Sequence, residues 1–169
     1  MIGELDILRI VSDRLGQQGI PFMLTGSYAM AYYATPRMTR DLDLVVAFEM
    51  PDVDKLLAAF STDFYVDADA VLMMHLASGI KVDMILKKAT PYRDLEFGRR
   101  KPAVLGGVSM WLVSREDLIL SKLAWARDSG SELQLRDAQA LLTDTVDRAY
   151  LRQWAADLGI LDSLDRLTS

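Results

Sequence analysis

The chain has 169 residues, the span of one ordinary domain with room for a small helical extension. Apolar residues make up 51% and charged residues 25%, with a net charge of −5, which excludes a disordered chain and a general nucleic-acid coater. There is no cysteine and one histidine, His75, so disulfide scaffolds, cysteine-bound metals, thiol nucleophiles and any site needing two histidines are excluded.

No apolar run reaches the roughly 18 residues a membrane span requires, so no membrane role is expected. The opening MIGELDILRI carries acids early and lacks a basic leader. No secretory signal is therefore expected, and the cytoplasm is the expected location.

In chain order, residues 4–18 have helical periodicity through Leu5, Leu8, Ile10, Val11 and Leu15, ended by Gly19 and Pro21. Phe22 to Thr25 reads as a short strand, broken at Gly26-Ser27. A helix over 28–34 follows, closed by Thr35-Pro36. Residues 41–47 read as a strand. Pro51 opens a helix through Phe60, with Val53, Leu56, Leu57 and Phe60 on one face. Residues 72–77 and 80–86 read as strands turning at Ser78-Gly79. Residues 91–100 read as a short basic helix. Residues 102–105 and 108–113 form a hairpin through Gly106-Gly107. Ser114 and Asp117 have the spacing of a helix cap. Helices are expected over 115–127, 132–143, 147–158 and 160–167. The order predicts an α+β fold: a mixed β-sheet core over 1–113, then a helical part over 114–169 packed on it as one unit.

Charge is unevenly placed. Residues 81–101 hold seven bases (Lys81, Lys87, Lys88, Arg93, Arg99, Arg100, Lys101) against three acids. Such a stretch suits either a polyanion or a solvated helix face.

Three features carry chemistry. Gly26-Ser27 sits between a strand and a helix. A helix start exposes unpaired N–H groups, and glycine lets a ligand approach the backbone, which suits phosphate oxygens. A tight turn capped by Ser27 is the plainer alternative. Asp41 and Asp43 alternate on one strand, so they share a face while Leu42 and Leu44 point inward. Two neighbouring carboxylates repel, and a divalent cation relieves that; an exposed strand end is the alternative. Asp83 interrupts the apolar strand 80–86. It needs a cation or a hydrogen-bond network if buried, or alternates with Lys81 toward solvent. Together they could hold two metal ions for in-line displacement at phosphorus, with the three carboxylates within about 7 Å of one another. His75 and the three tryptophans, Trp111, Trp125 and Trp154, read as structural.

Gly26-Ser27, Asp41-Leu42-Asp43 and the later lone Asp83 resemble, in order and spacing, the signature of the nucleotidyltransferase superfamily with the DNA polymerase β-like fold. Residues 20–47, 79–86, 113–123 and 136–142 are similar to its AbiEii-like branch, which includes toxin components of toxin–antitoxin systems. The resemblance implies a mixed sheet flanked by helices, with Mg²⁺ or Mn²⁺ held by Asp41, Asp43 and Asp83. It implies that Gly26 and Ser27 bind the NTP phosphates, that Lys122 contacts them, and that Asp137 orients Lys122. A solvated helix side chain is the alternative for Lys122. If Lys122 acts, it faces the Ser27 corner across open space, with Arg99 or Arg100 approaching from the loop side.

The implied reaction is transfer of NMP from an NTP to a hydroxyl acceptor: an RNA end, a protein or a small molecule such as an antibiotic. An antitoxin partner is implied for the toxin branch. A noncatalytic nucleotide-binding regulator or partner with the same fold is the alternative.

Overall fold

The computed structural model describes residues 2–35, 39–47, 49, 52–67 and 72–168. The expected helix end at Pro36 and helix start at Pro51 lie outside the described residues.

Helix α1 (Glu4–Gln17) buries Ile7, Leu8, Val11 and Leu15, the stripe its periodicity predicts. The Asp6 carboxylate accepts from the Gly3 N–H at 3.0 Å, closing its first turn. Strand β1 (Phe22–Thr25) is buried at all four positions, as a central strand must be. It runs straight into α2 (Gly26–Tyr33), which starts two residues earlier than the sequence suggests. Thr25, and not Ser27, is the residue before the helix, so the capping alternative for Ser27 falls.

Strand β2 (Asp41–Val46), helix α3 (Asp52–Phe60), and strands β3 (Phe64–Asp67), β4 (Leu72–His75) and β5 (Lys81–Leu86) follow. Strand β3 has no counterpart in the sequence reading; four residues hold too little alternation to announce a strand. His75 is buried, with Nδ1 2.9 Å from Ser78 Oγ and its ring edge-on to Phe64. It serves the β4–β5 turn. Helix α4 (Pro91–Gly98) leads to the hairpin β6 (Lys101–Leu105) and β7 (Val108–Leu112). Gly106 and Gly107 both have positive φ, 55° and 79°, the two-residue turn that matches strand twist. Helices α5 (Arg115–Ser129), α6 (Glu132–Leu141), α7 (Arg148–Asp157) and α8 (Leu161–Thr168) complete the chain. Ser114 Oγ accepts from the Asp117 N–H at 3.1 Å, the expected cap of α5.

The seven strands form one mixed sheet in the order β3-β4-β5-β2-β1-β7-β6. β2 is antiparallel to β1 and parallel to β5, while β1 is parallel to β7. The α+β architecture with helices flanking a mixed sheet is the one the sequence predicts. Leu42, Leu44, Val46, Val82 and Met84 line one face and are buried. Alternation sends Asp41, Asp43 and Val45, with Lys81, Asp83 and Ile85, to the other face. Leu118, Ile119, Leu120 and Leu123 of α5 belong to the same buried cluster as the sheet residues.

At the start of α5, Asp117 is fully buried and accepts from four side chains. These are Ser114 Oγ at 2.5 Å, Tyr150 Oη at 2.6 Å, Tyr92 Oη at 3.2 Å and Arg99 Nε at 3.2 Å. One carboxylate thus ties α4, α5 and α7 together.

Candidate active site

The register of the central strands sets the site. β2 and β5 pair in parallel with Asp43 opposite Asp83, so the two acids stand side by side on one face. Asp41, two residues back on β2, shares that face and lies opposite Lys81. Across the antiparallel pair, Asp43 faces Thr25, the last residue before α2. The acid row therefore lies under the start of that helix. Among the described residues, no group of three or more carboxylates or histidines is set closely enough to hold a metal ion. The three acids share one face, as alternation predicts. Like charges gain nothing by converging without a cation between them.

Gly26 has φ +65° and lies against Asp43. A Cβ there would stand 1.9 Å from Asp43 Oδ2 and 2.6 Å from its Cγ. Only glycine allows this approach, which lets the Ser27 backbone N–H donate to the Asp43 carboxylate. Burial, first, and then the Asp83 charge raise the Asp43 pKa to about 6; Lys122 and the Ser27 N–H oppose them. Gly26→Ala is expected to displace Asp43 or the start of α2, destabilising the protein by more than the roughly 1 kcal/mol of a simple glycine replacement at positive φ. A urea midpoint equal to the wild type's would show that the corner yields without strain.

Lys122 comes from the second turn of α5. It is 4% exposed, which excludes the solvated alternative. Its ammonium donates to Ser27 Oγ at 3.1 Å and to Asp137 Oδ2 of α6 at 2.8 Å. It faces the Ser27 corner by direct contact, not across open space. Asp137 is itself buried, so the two charges are held where they neutralise each other.

Arg99 and Arg100 do not serve that corner. Arg99 bonds Asp117 and Glu116 and lies 4.0 Å over the Tyr150 ring. Arg100 donates to the Phe97 carbonyl at 2.7 Å and stacks on Phe97 and Trp111. Lys87 pairs with Asp94, and Arg93 with Glu96. Much of the basic stretch is thus spent within the fold, tying α4 to its neighbours.

A cleft of about 480 Å³ opens beside the acid row, between the sheet face and α5. Thr25, Val45 and Ile85 line one wall, and Ser121, Ala124 and Trp125 the other. Trp125 is 60% exposed and Trp111 42%, so neither is the core residue the sequence suggests; Trp154 packs against the core as expected. The signal for Trp125 was present. Ser121, Trp125, Asp128 and Ser129 form one helical stripe, and three of those four are polar.

No protein family and no curated protein sequence matches the chain. Solved structures do match it. An antigenic nucleotidyltransferase-like protein from Paracoccidioides brasiliensis is 20% identical, with a TM-score of 0.63, over 96% of this chain and 92% of its own. The antibiotic-resistance factor ANT(2'')-Ia in solution is 15% identical, with a TM-score of 0.65, over 92% of this chain and 95% of its own. The same enzyme in complex with adenylyl-2''-tobramycin is 13% identical, with a TM-score of 0.62, over 90% and 94%. Among the described residues, no helix is long and apolar enough to cross a membrane. A seven-stranded mixed sheet, an acid row at its centre and a glycine-led helix above it give this chain the fold of the nucleotidyltransferase-like proteins.

Proposed function

We propose that the chain transfers NMP from an NTP to a hydroxyl acceptor and releases pyrophosphate, in a divalent-metal-dependent reaction. One observation carries the reading. Asp43 and Asp83 stand side by side on one sheet face, and burial and the Asp83 charge raise the Asp43 pKa to about 6, outweighing Lys122 and the Ser27 N–H. Folding gains nothing from that pair, and a hard cation does. The donor set is all oxygen, which suits Mg²⁺ or Mn²⁺. Asp41, Asp43 and Asp83 would hold the metal, which neutralises phosphate charge and sharpens the attacking hydroxyl.

The chain's own groups take the other roles. Gly26 and Ser27 bring the start of α2 against the phosphates, and Lys122, fixed by Asp137, supplies a cation there. The acceptor oxygen forms the new bond to the α-phosphorus, the bond to pyrophosphate breaks in line, and the hydroxyl proton passes to Asp83. The division of labour follows the chain: residues 1–113 supply the acids and the corner, and residues 114–169 supply Lys122 and Asp137.

The narrower AbiEii-like reading draws on the 2.8 Å contact between Lys122 and Asp137, the pair its resemblance singles out; an antitoxin partner rests on that resemblance alone. Antibiotic-type acceptors are supported by the likeness to ANT(2'')-Ia. RNA ends and proteins are the other acceptors to be tried.

The test is pyrophosphate release from each of the four NTPs with Mg²⁺, with and without an RNA, protein or antibiotic acceptor. Release is expected to vanish with EDTA and in Asp41→Asn and Asp83→Asn. Nucleotide binding without turnover under every acceptor would instead favour the noncatalytic regulator.

A further inference from the structure

The acids, the glycine corner and Lys122 are not among the residues that line the cleft, so its walls are still to be explained. Val45 and Ile85 are the next residues on the acid-bearing face after Asp43 and Asp83, so the wall turns from carboxylate to hydrocarbon within one strand repeat. Leu86, at the end of β5, and Trp125 of α5 also line the cleft. Ile85, Leu86 and Trp125 are 43%, 44% and 60% exposed. Single exposed apolar side chains are ordinary, whereas three lining one cavity next to a polar site mark a place for a ligand. An indole face is a stacking surface for any flat ring.

The rim decides what kind of ring. Its two acids are neutralised: Glu96 by Arg93 at 2.7 Å and Asp128 by Arg127 at 2.7 Å. Among its bases, Lys87 is paired with Asp94. Lys88 is exposed and has no ion-pair partner among the described residues. The charge left over is positive. Within the lining itself both carboxylates are already paired, while a ring with acceptor atoms on its edge finds a lysine.

We propose that this cleft binds a nucleobase, stacked on Trp125 against Val45 and Ile85, with its acceptor-bearing edge toward Lys88. The inference rests on the transferase reading only in placing phosphates at the Ser27 corner. The base has two sources: the NTP itself, or the terminal nucleotide of a single-stranded RNA acceptor.

Calorimetric binding to the whole protein separates them, with ATP, inorganic tripolyphosphate, a six-residue oligoadenylate and tobramycin as probes. If the base belongs to the NTP, Trp125→Ala weakens ATP about tenfold, within the range of one base–aromatic stack, and leaves tripolyphosphate unchanged. If it belongs to the acceptor, the same change weakens the oligoadenylate and spares ATP. In either case Trp125→Phe restores most of the affinity, and Lys88→Ala weakens the same probe as Trp125→Ala. Equal affinity of both nucleic-acid probes for wild type and Trp125→Ala overturns the proposal, as does tobramycin binding that depends on Trp125. None of these measurements needs turnover. A protein that binds a base on Trp125 yet releases no pyrophosphate would refute the transferase reading and keep this one.

Discussion

Lys122→Ala is expected to destabilise the protein by about 3–5 kcal/mol, the usual result of removing one partner from a buried ion pair. Lys122 and Asp137 are each 4% exposed and meet at 2.8 Å. Without the lysine, the Asp137 carboxylate stays buried and has lost the cation it meets. The fall should appear as a lower urea midpoint at unchanged slope. Removing both charges, in Lys122→Ala with Asp137→Ala, should recover part of it, because the buried carboxylate goes too. Phosphate affinity is a separate quantity, read at a temperature where the variant is folded. It should fall by about 1–3 kcal/mol, the worth of a charge-assisted hydrogen bond. A loss of stability under 1 kcal/mol would mean that water already reaches the pair.

Asp43→Asn should act in opposite directions on activity and stability. Turnover should disappear, since the amide keeps the shape and loses the charge that draws a cation. Stability in EDTA at pH 7 should rise by about 1–2 kcal/mol, a value set below the full shift because the site is partly open. The sign follows from the proton. The folded protein holds the Asp43 proton more tightly than the unfolded chain, with a pKa raised from 3.8 to about 6. Its contribution therefore favours folding below about pH 4 and is lost as pH rises through 6. The variant's advantage should open over that window and close in acid. The asparagine oxygen still accepts from the Ser27 N–H, so the corner itself is kept. Mg²⁺ should raise the melting temperature of the wild type alone. A variant less stable than the wild type at pH 7 would make Asp43 a structural residue.

These two residues differ in how far the sequence exposes them. Asp43 is legible because alternation on a strand is a local rule: with Leu42 and Leu44 inward, the acids have one place to go. The same locality made most helices and the Gly106-Gly107 hairpin legible. Lys122 could be singled out only by resemblance. Its burial depends on Asp137, 15 residues later on another helix, and on Ser27, 95 residues earlier. Arg99 and Arg100 went astray for the same reason, since the carboxylates that engage Arg99 belong to α5, beyond an intervening hairpin. Trp125 was misread by composition: a large apolar residue on a mostly apolar helix is expected inside, and its polar companions on the stripe say otherwise.

The Asp117 junction bears on how this chain tolerates being shortened. Its 2.6 Å bond comes from Tyr150, which lies beyond every residue assigned to the site. A gene cut after α6 would keep the acids, the corner and Lys122. It would strip the buried Asp117 of a donor and leave the Arg99 guanidinium without the ring beneath it. Helix α7 is thus the clasp of the fold: it touches no substrate in the proposed reaction, and through Asp117 and Arg99 it fastens the start of α5 to the end of α4.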